Sequence, residues 1–443
     1  MNAIFFFIVL TSFLVASWRQ LTETVLAGMP TAMQVLGAGI IDSAKDSVTL
    51  VFSLIGVMAL FLGLMKVAEN GGLLTIIAKL MRPVLVRLFP DIPDGHPAMG
   101  AIIMNLSANV MGLGNAATPF GIRAMQELDR INPHKGTATD SMVLFLAINT
   151  SSITILPTGV IALRAAAGST DPAGIVPTTL FATLCSTIVA ILAAKYLAKL
   201  WTKERVANPE TGEKKTGKVS QAQLPSQQNP IIADAVAVVD QGQAYPLWTT
   251  FLALGTVILL IPITIFYGNI ISPWIIPSLL LSLLTFGYVR GVAIYESFID
   301  GARDGFEIAV RIIPFLVAIL VAIGMFRASG AMDLLVGPIG SITSSIGLPI
   351  DALPMAILRP LSGSGSYGIL ASTIQDPAIG PDSYTGYLVS TLQGSTETTF
   401  YVLAVYFGAI QIRRIRHALA AGLLADVAGI AAAIVICSIL YGH

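Results

Sequence analysis

Four short runs of polar residues interrupt stretches of the sequence that are otherwise strongly apolar. Two runs, at 104–119 and 359–366, are rich in Gly, Ser or Asn, and the other two, at 149–157 and 393–399, lie near the middle of apolar segments. Lipid offers such groups no hydrogen bond, so protein, water or a ligand must satisfy them. We predict that the four runs form one solute-binding site, whose candidate residues are Asn105, Ser107, Asn109, Asn115, Asn149, Ser151, Ser152, Arg359, Ser362, Ser364, Ser366, Gln393, Ser395, Thr396 and Glu397.

Arg359 and Glu397 are the two charged members of this set. A charge at the centre of a bilayer costs about 3 kcal/mol on insertion scales, so each side chain should face a cavity or a partner. Arg359 suits a carboxylate or phosphate, whereas Glu397 suits an amine or a coupling cation. Proton coupling follows if Glu397 titrates, and sodium coupling if it stays ionised. Two alternatives remain: the two side chains form a structural ion pair, and the hydroxyl groups only join helices.

The runs at 104–119 and 359–366 should each form a re-entrant helical hairpin. Each run begins and ends on the same side of the expected topology, and its Gly and Pro residues open the helix at membrane depth. A helix N-terminus left at that depth carries partial positive charge, which suits an anionic group.

The elements that position these runs are expected to be membrane helices. Hydrophobic residues make up 55% of the 443 positions and charged residues 11%, which is outside the range of a soluble globular domain. The 25 basic and 25 acidic residues cancel, so no bulk field attracts nucleic acid. The four histidines show no metal-ligand spacing, and no nucleophile and base pair stands out. We therefore expect no enzyme, no metal and no cofactor apart from a coupling Na⁺ or H⁺.

About nine segments are long enough to cross the hydrocarbon core. The run Phe5–Ala16 lacks the basic residues that open a signal peptide, so it is taken as a first membrane helix. The basic segment from Lys195 to Lys218 should be cytoplasmic, which puts the N-terminus inside and the C-terminus outside a bacterial inner membrane. The predicted crossings lie near 3–18, 48–66, 139–163, 174–199, 247–267, 273–290, 307–326, 385–409 and 419–441.

The sequence also contains an internal repeat. Asp42-Ser-Ala-Lys-Asp46 and the helix that follows it align with Asp300-Gly-Ala-Arg-Asp304 and its helix. Equivalent loops fall on opposite sides of the membrane, because the extra helix near 247–267 reverses the second copy. We predict an all-α integral membrane protein of two inverted-topology repeats, each with a re-entrant hairpin: residues 1–205, a cytoplasmic linker at 206–245, and residues 246–443.

The polar runs also carry a family resemblance. The run Asn105–Leu128 resembles spore maturation protein A, and the half with Arg359 and 393–399 resembles spore maturation protein B. Both belong to the nucleoside recognition or Gate domain group, which is similar to parts of concentrative nucleoside transporters and ferrous iron transporters. The resemblance implies a fused bacterial inner-membrane protein, linked in spore formers to dehydration of the spore core. It supplies no substrate.

Two functions remain open from the sequence. The leading hypothesis is a transporter of a small polar solute, anionic, zwitterionic or nucleoside-like, that works by alternating access at the repeat interface. The alternative is a non-transporting membrane assembly or spore-envelope maturation factor, in which the polar clusters hold helices together. A transporter needs an accessible, lined cavity at that interface. The expected partners are the lipid bilayer, the solute and, as an open possibility, further copies of the chain.

Overall fold

The computed structural model describes residues 2–22, 29–93, 95–112, 114–207, 245–331, 334, 340 and 343–442. Within these ranges some side chains, including that of Asn115, lie outside the description, as does nearly all of the predicted linker. The described residues form α-helices and one short 3-10 turn, with no β-strand. The prediction of an all-α protein is confirmed.

The helices follow the same order in the two halves. A long helix is followed by a hairpin, a broken helix and a final long helix, and the second half begins with the additional helix α9. The first half contains α1 (Asn2–Thr22), α2 (Ala32–Asn70), α3 (Leu73–Leu88), α4 (Pro97–Val110), α5 (Gly114–Arg130), α6 (Asp140–Thr150), α7 (Thr158–Ala166) and α8 (Ile175–Ala207). The second contains α9 (Leu247–Val289), α10 (Ile294–Ala328), the 3-10 turn Ile350–Ala352, α11 (Leu353–Leu358), α12 (Gly363–Gln375), α13 (Tyr384–Ser395), α14 (Thr399–Ala409) and α15 (Ala418–Tyr441).

Fewer helices than predicted qualify as single uninterrupted membrane spans. Among the described residues, three are long and apolar enough: Phe5–Thr22, Ile175–Trp201 and Ala418–Tyr441. A fourth counts if Ile55–Asn70 and Leu73–Leu88, which are bent by 69°, form one span. The expectation of about nine crossings is therefore not met by this measure.

Two features of the described helices contribute to this difference. The predicted crossings at 139–163 and 385–409 are each divided into two helices of 9 to 12 residues, and each piece is too short to span the hydrocarbon by itself. The separate crossings predicted at 247–267 and 273–290 lie within the single helix α9. Apolar composition alone gave no sign of where a helix breaks and where it continues.

The long helices α2 and α10 pack against each other in antiparallel orientation. Gly39 near the start of α2 faces Gly324 near the end of α10, while Gly63 faces Gly301. A Cβ added to Gly301 would lie 2.4 Å from the carbonyl oxygen of Leu62, so the two backbones touch there. Glycine at these positions therefore sets the distance between the helices.

This close approach predicts a position-specific effect of added volume. Gly301→Ala should lower the free energy of unfolding by about 1–3 kcal/mol, because the new Cβ meets a backbone carbonyl that cannot move without separating the helices. Gly56→Ala in α2 is the matched control, since an added Cβ there has nothing within 4 Å. It should be neutral or stabilising by up to about 1 kcal/mol. Unfolding of the detergent-solubilised variants measures both values, and equal losses would contradict the packing described.

Candidate functional site

Two helix breaks, one in each half of the chain, lie next to each other in the structure. The first break (residues 151–157) separates α6 from α7, and the second break (residues 396–398) separates α13 from α14. Pro157 closes the first break and cannot donate a backbone hydrogen bond, while Thr396 has an extended backbone. The backbone N–H of Glu397 donates to the carbonyl of Thr150 at 2.7 Å. The structure therefore brings the two mid-helix polar runs together across the two halves.

Arg359 lies at the C-terminal end of α11 and holds the second break in place. Its Nε donates to the carbonyl of Gln393 at 2.9 Å, Nη1 donates to Thr398 Oγ1 at 3.0 Å, and Nη2 donates to the carbonyl of Thr396. A cation beside the carbonyl end of α13 also complements the helix dipole. All three guanidinium nitrogens thus donate to protein atoms, so the side chain stabilises the second break.

Glu397 differs from Arg359 in exposure. Arg359 Nη2 lies 3.8 Å from Glu397 Oε2, so the ion pair left open by the sequence is present at the long end of the distance range. The Arg359 side chain is 7% exposed and that of Glu397 is 47% exposed. The flanking residues Thr396 and Thr398 are both buried. Glu397 therefore directs its carboxylate into accessible space from an otherwise buried segment.

The first hairpin, formed by α4 and α5, contributes two asparagines to the interior. Asn109 Nδ2 donates to Asn149 Oδ1 at 3.0 Å, and Asn149 Nδ2 donates to the carbonyl of Phe145 at 2.9 Å. Asn105 Nδ2 donates to the carbonyl of Ala117 at 2.8 Å and to the Tyr406 hydroxyl at 3.2 Å. Asn105 therefore links the first hairpin to α14 of the second half.

Each hairpin docks its tip on the broken helix of its own half. The N–H of Ile155 donates to the carbonyl of Val110 at the tip of the first hairpin, at 3.1 Å. In the second half, the N–H of Phe400 donates to the carbonyl of Pro360 at 3.1 Å. Ser362 caps α12 by accepting a hydrogen bond from the N–H of Gly365 at 3.0 Å. Backbone groups freed by the breaks and turns are in this way bonded to one another.

Several predicted residues contact their own helices rather than the space between the breaks. Their hydroxyls bond to carbonyls one turn earlier, which satisfies the side chain locally. This group consists of Ser151, Ser366 and Ser395. Ser107 points to Met81 Sδ at 3.7 Å on α3, Ser364 is exposed, and Ser152 is buried. The prediction for Asn115 falls on a side chain outside the described ones.

Asp426 lies beside the second break and was missed by the sequence analysis. It is 2% exposed in the middle of α15, and its Oδ2 accepts a hydrogen bond from Thr399 Oγ1 at 2.7 Å. The sequence did contain an indication of this site, because Asp426 is the one charged residue in the apolar run Ala418–Tyr441.

Arg164 joins two loops at one end of the molecule. Its side chain is fully buried, and it donates to the Pro381 carbonyl at 2.6 Å, the Asp171 carbonyl at 3.1 Å and Asp382 Oδ1 at 3.0 Å. The Tyr387 ring lies 4.2 Å below the guanidinium. We call this group the Arg164 clasp. It connects residues 168–174 of the first half to residues 376–383 of the second.

Asp382 should make the clasp sensitive to acid. Burial by itself raises the pKa of Asp382, but hydrogen bonds from Ser169 and Thr170, together with the Arg164 guanidinium, bring that pKa below its ordinary value. A carboxyl group whose pKa is lowered by folding adds stability at neutral pH, and that stability is lost as the pH falls through the folded-state pKa.

Asp382→Asn is accordingly expected to reduce the free energy of unfolding at neutral pH by about 1.5–3 kcal/mol, because hydrogen bonds to a charged acceptor are lost. The difference from the parent should shrink on acidification. Melting temperatures recorded from about pH 7 to about pH 3 test this. Asp300→Asn is the control, because Asp300 is 65% exposed and 3.8 Å from Arg303. A constant difference across the pH range would contradict the assignment.

The opposite end carries the basic loops. The N–H groups of Arg413 and Arg414 donate to the carbonyl of Gly136, at 2.9 and 3.0 Å. Arg416 Nη1 lies 2.6 Å from Asp140 Oδ1 and donates to the carbonyl of Ala138 at 3.1 Å. Residues 131–139 of the first half and 410–417 of the second therefore meet at this end.

Comparisons with known proteins relate this chain to one protein family and to two proteins of one organism. A family model described as Gate, nucleoside recognition, matches residues 51–167 and 309–413, about half of the chain. Spore maturation protein B of Bacillus subtilis (strain 168) is 45% identical over 174 residues, which are 39% of this chain and 97% of that protein. Spore maturation protein A of the same organism is 46% identical over 181 residues, which are 40% of this chain and 92% of that protein.

Proposed function

Because the chain belongs to the nucleoside recognition (Gate) family, we propose that it is a multi-pass membrane transporter of a small polar solute. The observation that carries the proposal is the half-exposed carboxylate of Glu397 between the two opposed breaks. A carboxylate at membrane depth needs a cavity or a partner, and this one is only loosely paired. Broken helices that meet at a repeat interface are a common construction of transporter binding sites.

Inverted topology of the two repeats is part of this proposal. Residues 131–139, which follow the first hairpin, meet residues 410–417, which follow the second broken helix. Conversely, residues 168–174 follow the first broken helix and meet 376–383, which follow the second hairpin. Two copies in opposite orientations account for this exchange of partners. Each half then places one loop at each end of the molecule.

Orientation in a bacterial inner membrane follows from charge. The end with Arg413, Arg414 and Arg416 is assigned to the cytoplasm, because cytoplasmic loops are enriched in Lys and Arg. The Arg164 clasp then lies outside, with the end of α15, since the Tyr441 hydroxyl donates to the Gly174 carbonyl. This orientation agrees with a cytoplasmic N-terminus and an external C-terminus, and about nine crossings remain our proposal.

The solute is inferred from the groups that remain accessible. Arg359 donates to protein carbonyls through Nε and Nη2, so a simple anion has lost its main predicted partner. Glu397 can accept hydrogen bonds from an amine or hydroxyl group, and Asn109, which is partly exposed, offers its amide oxygen. We therefore favour a zwitterionic or nucleoside-like solute over a purely anionic one.

Ligand-dependent stability tests the proposal. The purified protein is melted in detergent with nucleosides, amino acids and dicarboxylates, each with and without sodium, and the series is repeated with Glu397→Gln. A solute at 100 times its dissociation constant should add about 2.7 kcal/mol to the free energy of unfolding. A shift in the parent that is absent from Glu397→Gln supports the proposal. The absence of any shift counts against it.

A membrane assembly or spore-envelope maturation factor is the second candidate. Two observations favour it: the relatives are named as spore maturation proteins, and hydroxyls such as those of Ser151 and Ser395 contact only their own helices. Such a factor should show no solute-dependent shift, and Glu397→Gln should then be indistinguishable from the parent.

A further inference from the structure

Asp426 is a buried carboxyl group to which the proposed solute site gives no role. It lies nine residues into α15, and its side chain is 2% exposed. Oδ2 accepts the hydrogen bond from Thr399 Oγ1, whereas Oδ1 is buried with no hydrogen-bond partner. An ionised carboxylate with an unsatisfied oxygen is costly at such a position, so a proton or a cation should bind there.

The elements packed against α15 offer little charge compensation. α8 and α6 contribute the neutral Ser186 and Thr150 near this position, and the second break and α14 contribute the hydroxyls of Thr396 and Thr399. The second break also holds the charged side chain of Arg359, which donates to Thr398 and to the Thr396 carbonyl.

Arg359 already has an anionic partner in Glu397, 3.8 Å away. The three groups together are neutral when Asp426 carries a proton and have one excess negative charge when it does not. His417 lies directly before α15, where its ring centroid is 6.1 Å from that of Trp201. Charge balance at the second break therefore depends on the protonation of Asp426.

We propose that Asp426 is a proton-binding site that couples proton movement to the second break. The coupling part rests on the transport function proposed above. Thr399 is the first residue of α14, and Thr396 and Thr398 of the adjoining break are bonded to Arg359. Uptake of a proton changes Asp426 from a pure acceptor into a group that also donates. A proton on Oδ1 leaves Oδ2 as the acceptor for Thr399, but it removes the negative charge from that acceptor and so weakens the hydrogen bond that holds the start of α14.

A metal cation fits this position less well than a proton. Hard metal cations commonly take six or more oxygen ligands. The hydroxyls near the Asp426 carboxylate belong to Thr396 and Thr399, and the Thr396 carbonyl is already bonded to Arg359. A proton needs only the carboxylate itself.

Infrared spectroscopy of the full chain in liposomes, titrated with acid and base and without any solute, tests the proposal. Above about pH 6, where exposed carboxyl groups are ionised, the parent should still show a protonated carboxylic acid band, and this band should disappear reversibly as the pH rises further. Asp426→Asn should lose this band, whereas Glu397→Gln should keep it. Thr399→Val should retain the band at a shifted carbonyl frequency, because the carboxyl group has lost its hydrogen-bond partner.

Two results would overturn the assignment: a titrating band that persists in Asp426→Asn, or a parent with no such band across the accessible pH range. If Asp426→Asn does not fold, the Thr399→Val spectrum decides, since an unshifted band cannot arise from Asp426. The outcome is independent of the solute panel, because no solute is added. Failure of transport would remove the coupling role and leave the proton site intact.

Discussion

Replacement of Arg359 by alanine is expected to lower the free energy of unfolding by about 3–5 kcal/mol, the range for removal of one partner from a buried charged network. The loss should be large because three bonds disappear together, including those to the Gln393 and Thr396 carbonyls. Those carbonyls would remain buried at the second break without the donor. Arg359→Lys should also be strongly destabilising, since an ammonium group cannot reproduce the planar fork of the guanidinium.

Two comparisons isolate this effect from simple loss of charge. Glu397→Gln should change stability by no more than about 1 kcal/mol, because the carboxylate is half-exposed and its 3.8 Å separation from Arg359 is at the long end for an ion pair. Arg327→Ala removes a partly exposed pair with Asp376, whose N–O distance is 2.8 Å, and should have a similarly small effect. Denaturant unfolding of the three alanine or glutamine variants gives the values. If Arg359→Ala were as stable as Arg327→Ala, the structural role of Arg359 would be refuted.

The second large effect is expected at the tip of the first hairpin. Gly112 has a φ of 77°, and a Cβ added to it would lie 2.6 Å from the Leu156 carbonyl oxygen in the first break. Gly112→Ala therefore combines backbone strain with a clash against a fixed backbone group. We expect a loss of about 1 kcal/mol from the left-handed conformation and a further 1–3 kcal/mol from the clash.

Gly136→Ala provides the matched control for the backbone term. Gly136 has a φ of 79°, and nothing lies within 4 Å of its added Cβ. Its alanine variant should lose only about 1 kcal/mol. Unfolding measurements on both variants, with limited proteolysis to detect release of the hairpin, check the prediction. Equal losses would mean that the hairpin tip does not dock on the first break.

The all-α fold could be predicted from the sequence because it depends on composition and local chemistry. The polar runs around Asn149 and Gln393 were recognised from composition, but the breaks beside them were not, since 139–163 and 385–409 were expected to be continuous crossings. The glycine turns after α2 and α10 were also foreseeable, and Gly72 and Gly330 have φ values of 83° and 79°. Such features need no knowledge of distant neighbours.

The direction of each side chain could not be predicted in the same way. Arg359 was expected to meet a solute, yet its partners come from a segment more than thirty residues away. Ser366 and Ser395 had the right composition for a site but bond to their own helices. Asp426 was overlooked because a single carboxyl group in an apolar run has no motif. Its importance comes from its contact with Thr399.

The Arg164 clasp has a consequence for the timing of biosynthesis. Arg164 and Asp382 are 218 residues apart in the chain, so at 5–20 residues per second the ribosome needs roughly 10–45 s to deliver the partner. Throughout that interval the guanidinium that will be fully buried has no carboxylate from the second half. Until translation supplies residues 376–383, Arg164 must be solvated or bonded within the first half.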